Sequence, residues 1–362
     1  VNPTLNARQK MMWSLFDFSE GRGLEIGPLH SAIVPRELAQ VSYLDVFGRD
    51  KLVEHYAGPL VDVSLIPEID YVLSDGDRVR SIPETIGEDR FDWVMASHVI
   101  EHVPDLVGWL QQIASIVSDG GKLVLAVPDR RYCFDHHRPA TTIGQVLQAH
   151  DSGDTTPSVR AVYDSARSYA PASAAELWAG ERPGYERREH PMSHALAQVE
   201  KARGGEYVDS HVWTFTPGSL VEQLVELREL GLSEWAIDVH RPTAPGQLEF
   251  HMVLRRLPRD REWTEDLLAT EPHPLPDLPD WIADDRDLRV RLREQQEEIA
   301  RLKSVLRRAR SRKRRAQAAA EKARRREARA REQLQALRSS TRYRVGSVVA
   351  KPADLARRLR RG

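Results

Sequence analysis

FDWVMASHVIEHVPDLVGWLQQIASIVSDGGKLVLAVPD, residues 91–129, holds the repeating unit of the fold. Its first run, 91–96, is short, apolar and bounded by polar residues, the mark of a buried strand. It ends on Ser97-His98. Leu106, Trp109, Leu110, Ile113 and Val117 then recur on one helical face, which predicts an amphipathic helix over 104–117. Asp119-Gly120-Gly121 predicts a turn, and KLVLAV at 122–127 a second buried strand. Two apolar strands separated by a helix make a parallel βαβ unit, so the flanking sequence should extend the same sheet.

It does so on both sides. Toward the N-terminus, apolar runs at 24–26, 41–44 and 69–73 predict three more strands, ending at Gly27, Asp45 and Ser74-Asp75-Gly76. Toward the C-terminus the pattern breaks down over 128–205, which is rich in His, Arg, Pro and Ser with a few helical pieces. Order returns at 211–215. TPGSLVEQLVELRELGL then reads as a helix with Thr216 as N-cap, Pro217 in its first turn and Gly231 as its stop. Strands are expected at 234–239 and 248–254. They lie too close in sequence for a crossover helix, so they should pair antiparallel.

A stiff linker is expected over 259–285, where EPHPLPDLPDW carries four prolines in 11 residues. Beyond it, positions 288, 292, 295, 299, 302, 306, 309, 313, 316, 320, 323, 327, 330, 334 and 337 follow a 4-3 alternation. All but Gln295, Lys313 and Glu327 are Leu, Ile or Ala, so a basic coiled coil is expected over 286–338 and with it a homo-oligomer. The last piece, 339–362, combines Val345, Val348, Val349, Leu355 and Leu359 with Arg and Lys, a basic amphipathic tail suited to an anionic membrane face.

A net charge of −1 hides a segregation. Residues 286–362 hold 27 Lys/Arg and 8 Asp/Glu, or +19; the remainder holds 53 − 27 = 26 basic and 54 − 8 = 46 acidic residues, or −20. An acidic body therefore carries a basic tail. The tail's cations surround an Ala-rich helix without interleaved aromatics, and the body would repel phosphate, which argues against nucleic acid as the partner. There is no run of 18 apolar residues, no signal-peptide pattern, and one cysteine, Cys133. A cytoplasmic protein is expected, with peripheral contact at the inner membrane face.

In an open α/β sheet, ligands bind beyond the carboxyl ends of the strands, where the strand order reverses. Glu25, Gly27 and Pro28 form the first such turn. Asp45 follows 20 residues after Glu25, where a carboxylate can accept both hydroxyls of a ribose. Asp75 and Gly76 could meet a base, and Ser97 and His98 lie near the place of a reacting group. His98 and His102 share a helical face at i, i+4. Asp129 follows the fifth strand, and His211 returns the chain from the insert. His98, His102, Asp129 and His211 are thus the candidate proton-handling residues. DRRYCFDHHRP offers Arg130, Arg131, Tyr132 and His136 for an acidic or sugar ligand, with Trp213 beyond. No His-Glu-x-x-His or Asp-x-Asp pattern occurs, so no metal is expected.

These motifs resemble the class I S-adenosylmethionine-dependent methyltransferases, in the small-molecule subgroup typified by the type 11-like domains. LEIG is similar to their first motif, YLDV to their second-strand acid, and residues 91–129 to their fourth strand, helix and fifth strand. The resemblance covers about 20–128 and 208–256. It implies an α/β, Rossmann-like seven-stranded, mostly parallel sheet with an antiparallel last hairpin. The insert after strand five would span 129–210 within a methyltransferase domain of 1–258. It implies S-adenosyl-L-methionine as cofactor, at Glu25, Gly27, Pro28, Asp45, Asp75, Gly76, Ser97 and His98. The turn keeps only Gly27 of the usual glycines. A pyrophosphate needs bare amides at a helix N-terminus; a sulfonium cofactor has no phosphate, so the shortage disfavours a dinucleotide.

VPDRRYCFDHHRPATTIGQVLQAH is similar to bacterial methyltransferases encoded with surface-polysaccharide assembly enzymes, and SSTRYRVGSVVAKP to the endings of glycan-assembly enzymes. These resemblances imply O-methylation of a sugar in a cell-surface glycan or its precursor, with glycosyltransferases as partners. A small metabolite or lipid headgroup as acceptor, or a non-catalytic coiled-coil adaptor, are the alternative readings.

Overall fold

The computed structural model describes residues 5–257, except 59, 60 and 77, together with 330, 331 and 333–336. The chain forms two compact units, residues 1–279 and 280–362. In the first, α1 (Ala7–Trp13) leads into β1 (Arg22–Ile26), β2 (Gln40–Asp45), α2 (Arg49–His55), β3 (Tyr71–Val72), α3 (Ile82–Ile86), β4 (Phe91–Ser97), α4 (Leu106–Ile116) and β5 (Val117–Pro128). The insert follows with α5 (Ile143–Ser152), α6 (Val159–Ser168), α7 (Ala174–Trp178) and α8 (Met192–Arg203). The chain then returns through α9 (Pro217–Glu229), β6 (Trp235–Arg241) and β7 (Glu249–Arg256).

The seven strands lie in the order β3-β2-β1-β4-β5-β7-β6. Pairing is parallel from β3 through β5, and β7 runs antiparallel to both β5 and β6. This is the sheet expected from the strand pattern. Alternation along the strands divides the core between its faces. Val94, Ala96, Leu123 and Leu125 pack on the α4 and α9 side, whereas Trp93, Met95, Val124 and Ala126 face Met12 and Phe18 from the N-terminal segment. On α4, Leu106, Val107, Leu110, Ile113 and Ile116 are fully buried, and each such burial contributes roughly 1.5–3 kcal/mol relative to exposure. Gly23 is required by close approach, since a Cβ there would stand 2.1 Å from the Trp93 ring.

Local chemistry sets the boundaries. The Asp105 side chain accepts from the Gly108 N–H, so α4 begins at Leu106, later than the spacing predicts. Thr216 caps α9 as expected, accepting from the Ser219 N–H at 3.1 Å. The turn expected at 119–121 is instead a bulge inside β5. Phe91 pairs with Val117 and Trp93 with Lys122, and the residues between bulge out with Gly120 at φ 76°. The third strand is shorter than its apolar run, with only Tyr71 and Val72 laddered on β2.

In the second unit, 330, 331 and 333–336 are helical and exposed. The linker expected at 259–285, the tail expected at 339–362 and the rest of the coiled coil expected at 286–338 lie outside the described residues. Among the described residues no helix is long and apolar enough to cross a membrane.

Candidate active site

β1 and β4 are neighbours whose onward connections lead to opposite edges of the sheet, which opens a crevice at their carboxyl ends. The backbone is unusual there. Gly27, just after β1, has φ 64°, and among the described residues the two non-glycine residues with positive φ are Leu29 (40°) and His98 (54°), on the loops after β1 and β4. Left-handed backbone at such residues persists only where the surroundings hold it, and it gathers at ligand sites. A Cβ on Gly27 would touch Val99 at 3.4 Å, so the two loops meet there.

The side chains at the first two strand ends differ in use. Glu25 is buried, and its carboxylate accepts from the backbone N–H groups of Ile33 (2.7 Å) and Val34 (2.9 Å). Burial pushes its pKa up to about 7, against those two hydrogen bonds and the Arg8 charge. Glu25 thus shapes the loop from inside, below the buried Pro28. Asp45 lies beside Gly27, because the Gly27 N–H donates to the Leu44 carbonyl in the adjoining strand (2.9 Å). Burial raises its pKa to about 6, opposed by hydrogen bonds from the Val46 and Phe47 backbone. Such an acid gains from two hydroxyl donors. Asp75 and Gly76 are exposed beyond β3, with the Arg78 N–H donating to Asp75 (3.1 Å).

Arg8 and Glu249 close the other side. The Arg8 guanidinium donates to both Glu249 oxygens (2.9 and 2.7 Å) and to the Ser97 hydroxyl (2.6 Å). His98 Nε2 stands 2.7 Å from Glu249 Oε2, and His251 Nε2 3.3 Å from Oε1. Burial alone would raise the Glu249 carboxyl, but hydrogen bonds from His251, His98 and Arg8 outweigh it and hold it far below the usual range. Ser97 and His98 are thereby fixed at the end of β4.

Three residues past His98 lies a second group. The Val212 and Trp213 N–H groups donate to the Glu101 carbonyl (2.7 and 3.1 Å), which brings His211 beside His102. Their rings meet at right angles with centroids 4.7 Å apart. His211 Nδ1 lies 2.5 Å from Asp135 Oδ2, and His102 Nδ1 2.9 Å from Asp209 Oδ1. Burial would raise Asp135, yet the His211 hydrogen bond and the charges of His211 and Arg138 hold it below its ordinary value. An ionised carboxylate only accepts, so Nδ1 of His211 carries the proton shared with Asp135, and Nε2 is the ring atom free for another partner. Burial would lower His102, but the Asp209 hydrogen bond, then the charge of Glu101, turn the shift upward. Burial, and then the charges of Asp209 and Asp45, raise the Tyr56 phenol.

The remaining expected residues are engaged within the protein. Asp129 is fully buried; it accepts from the Arg131 N–H and side chain and from the Thr243 hydroxyl (2.6 Å). This ties the start of the insert to the loop between β6 and β7. Trp213 is a core residue whose indole N–H donates to the Val103 carbonyl (2.7 Å). Tyr132 stacks on Trp178 at 4.0 Å, His136 Nδ1 lies 3.0 Å from the Cys133 carbonyl, and Arg130 is buried. Glu101, Asp135, Asp209, Glu249 and Arg8 were not anticipated. Glu101 and Asp135 lie within FDWVMASHVIEHV and DRRYCFDHHRP, beside the histidines those stretches offered, and Asp209 lies two residues before His211. A hollow of about 360 Å³ opens beside this group, lined by Phe134, Tyr169, Pro171, Ala172, Ser173 and Glu176. The Phe134 ring lies 4.7 Å from His211.

A family model described as a methyltransferase domain matches residues 6–210, more than half of the 362. The chain belongs to the methyltransferase-domain family. With the strand order above, it is an S-adenosylmethionine-dependent methyltransferase of the α/β type. The enzyme is similar to an S-adenosylmethionine-dependent methyltransferase from Mesorhizobium loti: 16% identity, 70% of this chain and 100% of that one, TM-score 0.35. An O-methyltransferase family protein from Burkholderia thailandensis shares 12% identity over 70% of this chain and 56% of that one, TM-score 0.33. The N-methyltransferase NodS from Bradyrhizobium japonicum WM9 shares 11% over 69% and 95%, TM-score 0.31. Identities and scores this low carry neither a substrate nor a mechanism across. No curated protein matches the chain significantly. The crevice itself suits the cofactor: bare backbone at Gly27, a raised acid at Asp45 and no cluster of glycine amides for a pyrophosphate.

Proposed function

We propose that the enzyme methylates a hydroxyl of a sugar, in a cell-surface glycan or its precursor. The observation that carries this reading is the aromatic hollow abutting a carboxylate-backed histidine. Phe134 and Tyr169, 4.8 Å apart and tilted at 33°, offer apolar faces on which a sugar ring can rest. The His211 ring packs against Phe134 of that wall. Gly27, Asp45 and the loop after β4 would hold S-adenosylmethionine, which would supply the methyl group. The chain's own residues position the acceptor, exclude water and manage the proton. Holding two reactants in line supplies much of the rate enhancement, and a hydroxyl acceptor further needs a partner for its proton. Glu101, His102 and His211 are the groups that meet it.

The basic segment 286–338, on this reading, joins copies of the enzyme, and the tail holds them at an anionic inner membrane face beside glycosyltransferases. Light scattering of full-length protein and of residues 1–258 tests the first part; equal masses per chain would reject it. The acceptor is tested by incubating the full chain with S-adenosylmethionine and panels of nucleotide-linked sugars, phospholipids and small metabolites. Methylated sugar is the expected product. Turnover confined to lipid or metabolite acceptors would overturn the sugar reading.

A further inference from the structure

We infer that Glu101, His102 and His211 bind a divalent first-row transition-metal ion. Among the described residues they form the one group of three or more His, Cys, Asp or Glu side chains arranged to hold a metal, with one ligand atom from each inside 4.8 Å of the others. Three ligands bonded at about 2.0–2.2 Å in tetrahedral geometry stand roughly 3.3–3.6 Å apart, so side-chain shifts of up to about an ångström would draw the three atoms onto one ion.

Two independent features point to a cation. The first is Glu101. Its side chain is 0% exposed, and neither carboxylate oxygen has a hydrogen-bond partner. His98 Nδ1 lies 3.5 Å from Oε1, beyond good hydrogen-bond length. Burying a carboxylate this way is costly, and an orphaned buried polar group calls for a water or an ion. The second is the backing of the two imidazoles. Each Nδ1 faces a carboxylate, Asp209 for His102 and Asp135 for His211. That fixes the tautomer, turns Nε2 outward as the ligating atom and raises its basicity, the outer arrangement typical of metal-bound histidines. Structural histidines do not need two such carboxylates converging on a third, buried acid.

Two imidazoles and one carboxylate suit Zn(II), Fe(II) or Mn(II), and three protein ligands leave positions open. His211 is 9% exposed and His102 31%, so solvent reaches the group by way of His102. An acceptor hydroxyl bound there would be acidified and lose its proton to water, so the same three residues would manage that proton through the ion. Linear spacing hides the group, because Glu101 and His102 are adjacent and His211 follows only after the insert.

Chelator-stripped full-length protein titrated by calorimetry with Zn(II), and separately with Mn(II), tests the site without acceptor or turnover. One ion per chain is expected for at least one of the metals. Glu101→Gln and His211→Asn should weaken it by more than tenfold, and Asp209→Asn by roughly 10–100-fold through the outer contact. Asp209 is 69% exposed, so its substitution spares the fold, and circular dichroism checks the others. No saturable binding of either ion, or affinity unchanged in folded Glu101→Gln, would overturn the inference. The sugar reading would survive that outcome, and its own failure with an acceptor panel leaves metal binding untouched.

Discussion

The two halves of the crevice adjoin but are built differently. The proposed cofactor side draws on the ends of four neighbouring parallel strands, β3, β2, β1 and β4, within one continuous stretch of chain, and Asp75 and Gly76 remain open to solvent. The proposed acceptor side gathers Glu101, His102, Asp135, Asp209 and His211 from a loop, the insert and the returning chain, and buries Glu101, Asp135 and His211 while Asp209 stays exposed. The lesson is a division of labour. A parallel sheet delivers a shared cofactor site from local sequence, whereas acceptor chemistry depends on what the insert folds over it.

The largest expected effect falls on the acceptor side alone. His211→Asn should lower kcat by roughly 10²–10⁴, the usual weight of a proton-handling group, with cofactor affinity kept; a parallel loss of cofactor binding would dissolve the distinction. Next comes Glu25, under the cofactor loop. Its folded pKa of about 7 exceeds the ordinary 4.5, so the folded state holds the proton more tightly and stability falls as pH rises from 4.5 to 7. Measured against Glu25→Gln by denaturant unfolding, wild type should lose up to about 3 kcal/mol more across that window. A flat difference would mean that the loop N–H groups stabilise the carboxylate fully. The smallest effect probes the hinge between the halves. His98→Gly and His98→Ala both lose the Glu249 contact, but at φ 54° glycine should be the more stable by about 1 kcal/mol. Equal midpoints would show that the left-handed turn relaxes once the ring is gone.

Legibility followed the same division. Apolar runs and helical spacing revealed every strand of the sheet and the antiparallel end, because each is a local pattern with one buried face. Gly27, Asp45 and His98 could be placed at strand ends for the same reason. Asp129 and Trp213 could be placed by position but not by use: the first caps the insert and the second fills the core. The pairing of Asp135 with His211 spans most of the insert, and Arg8 with Glu249 almost the whole described domain, so no window along the chain contains either. The bulge at Gly120 read as a turn because a glycine pair signals both.

One pair of titrations tests the central claim, that methyl donor and acceptor are handled by separate neighbouring groups. S-adenosylmethionine is titrated calorimetrically into wild type, Asp45→Ala and His211→Asn. A hydrogen-bonded charge is worth about 1.5–3 kcal/mol, so Asp45→Ala should bind roughly 10–100-fold more weakly and His211→Asn within about twofold of wild type. Wild-type affinity in Asp45→Ala together with lost affinity in His211→Asn would contradict it.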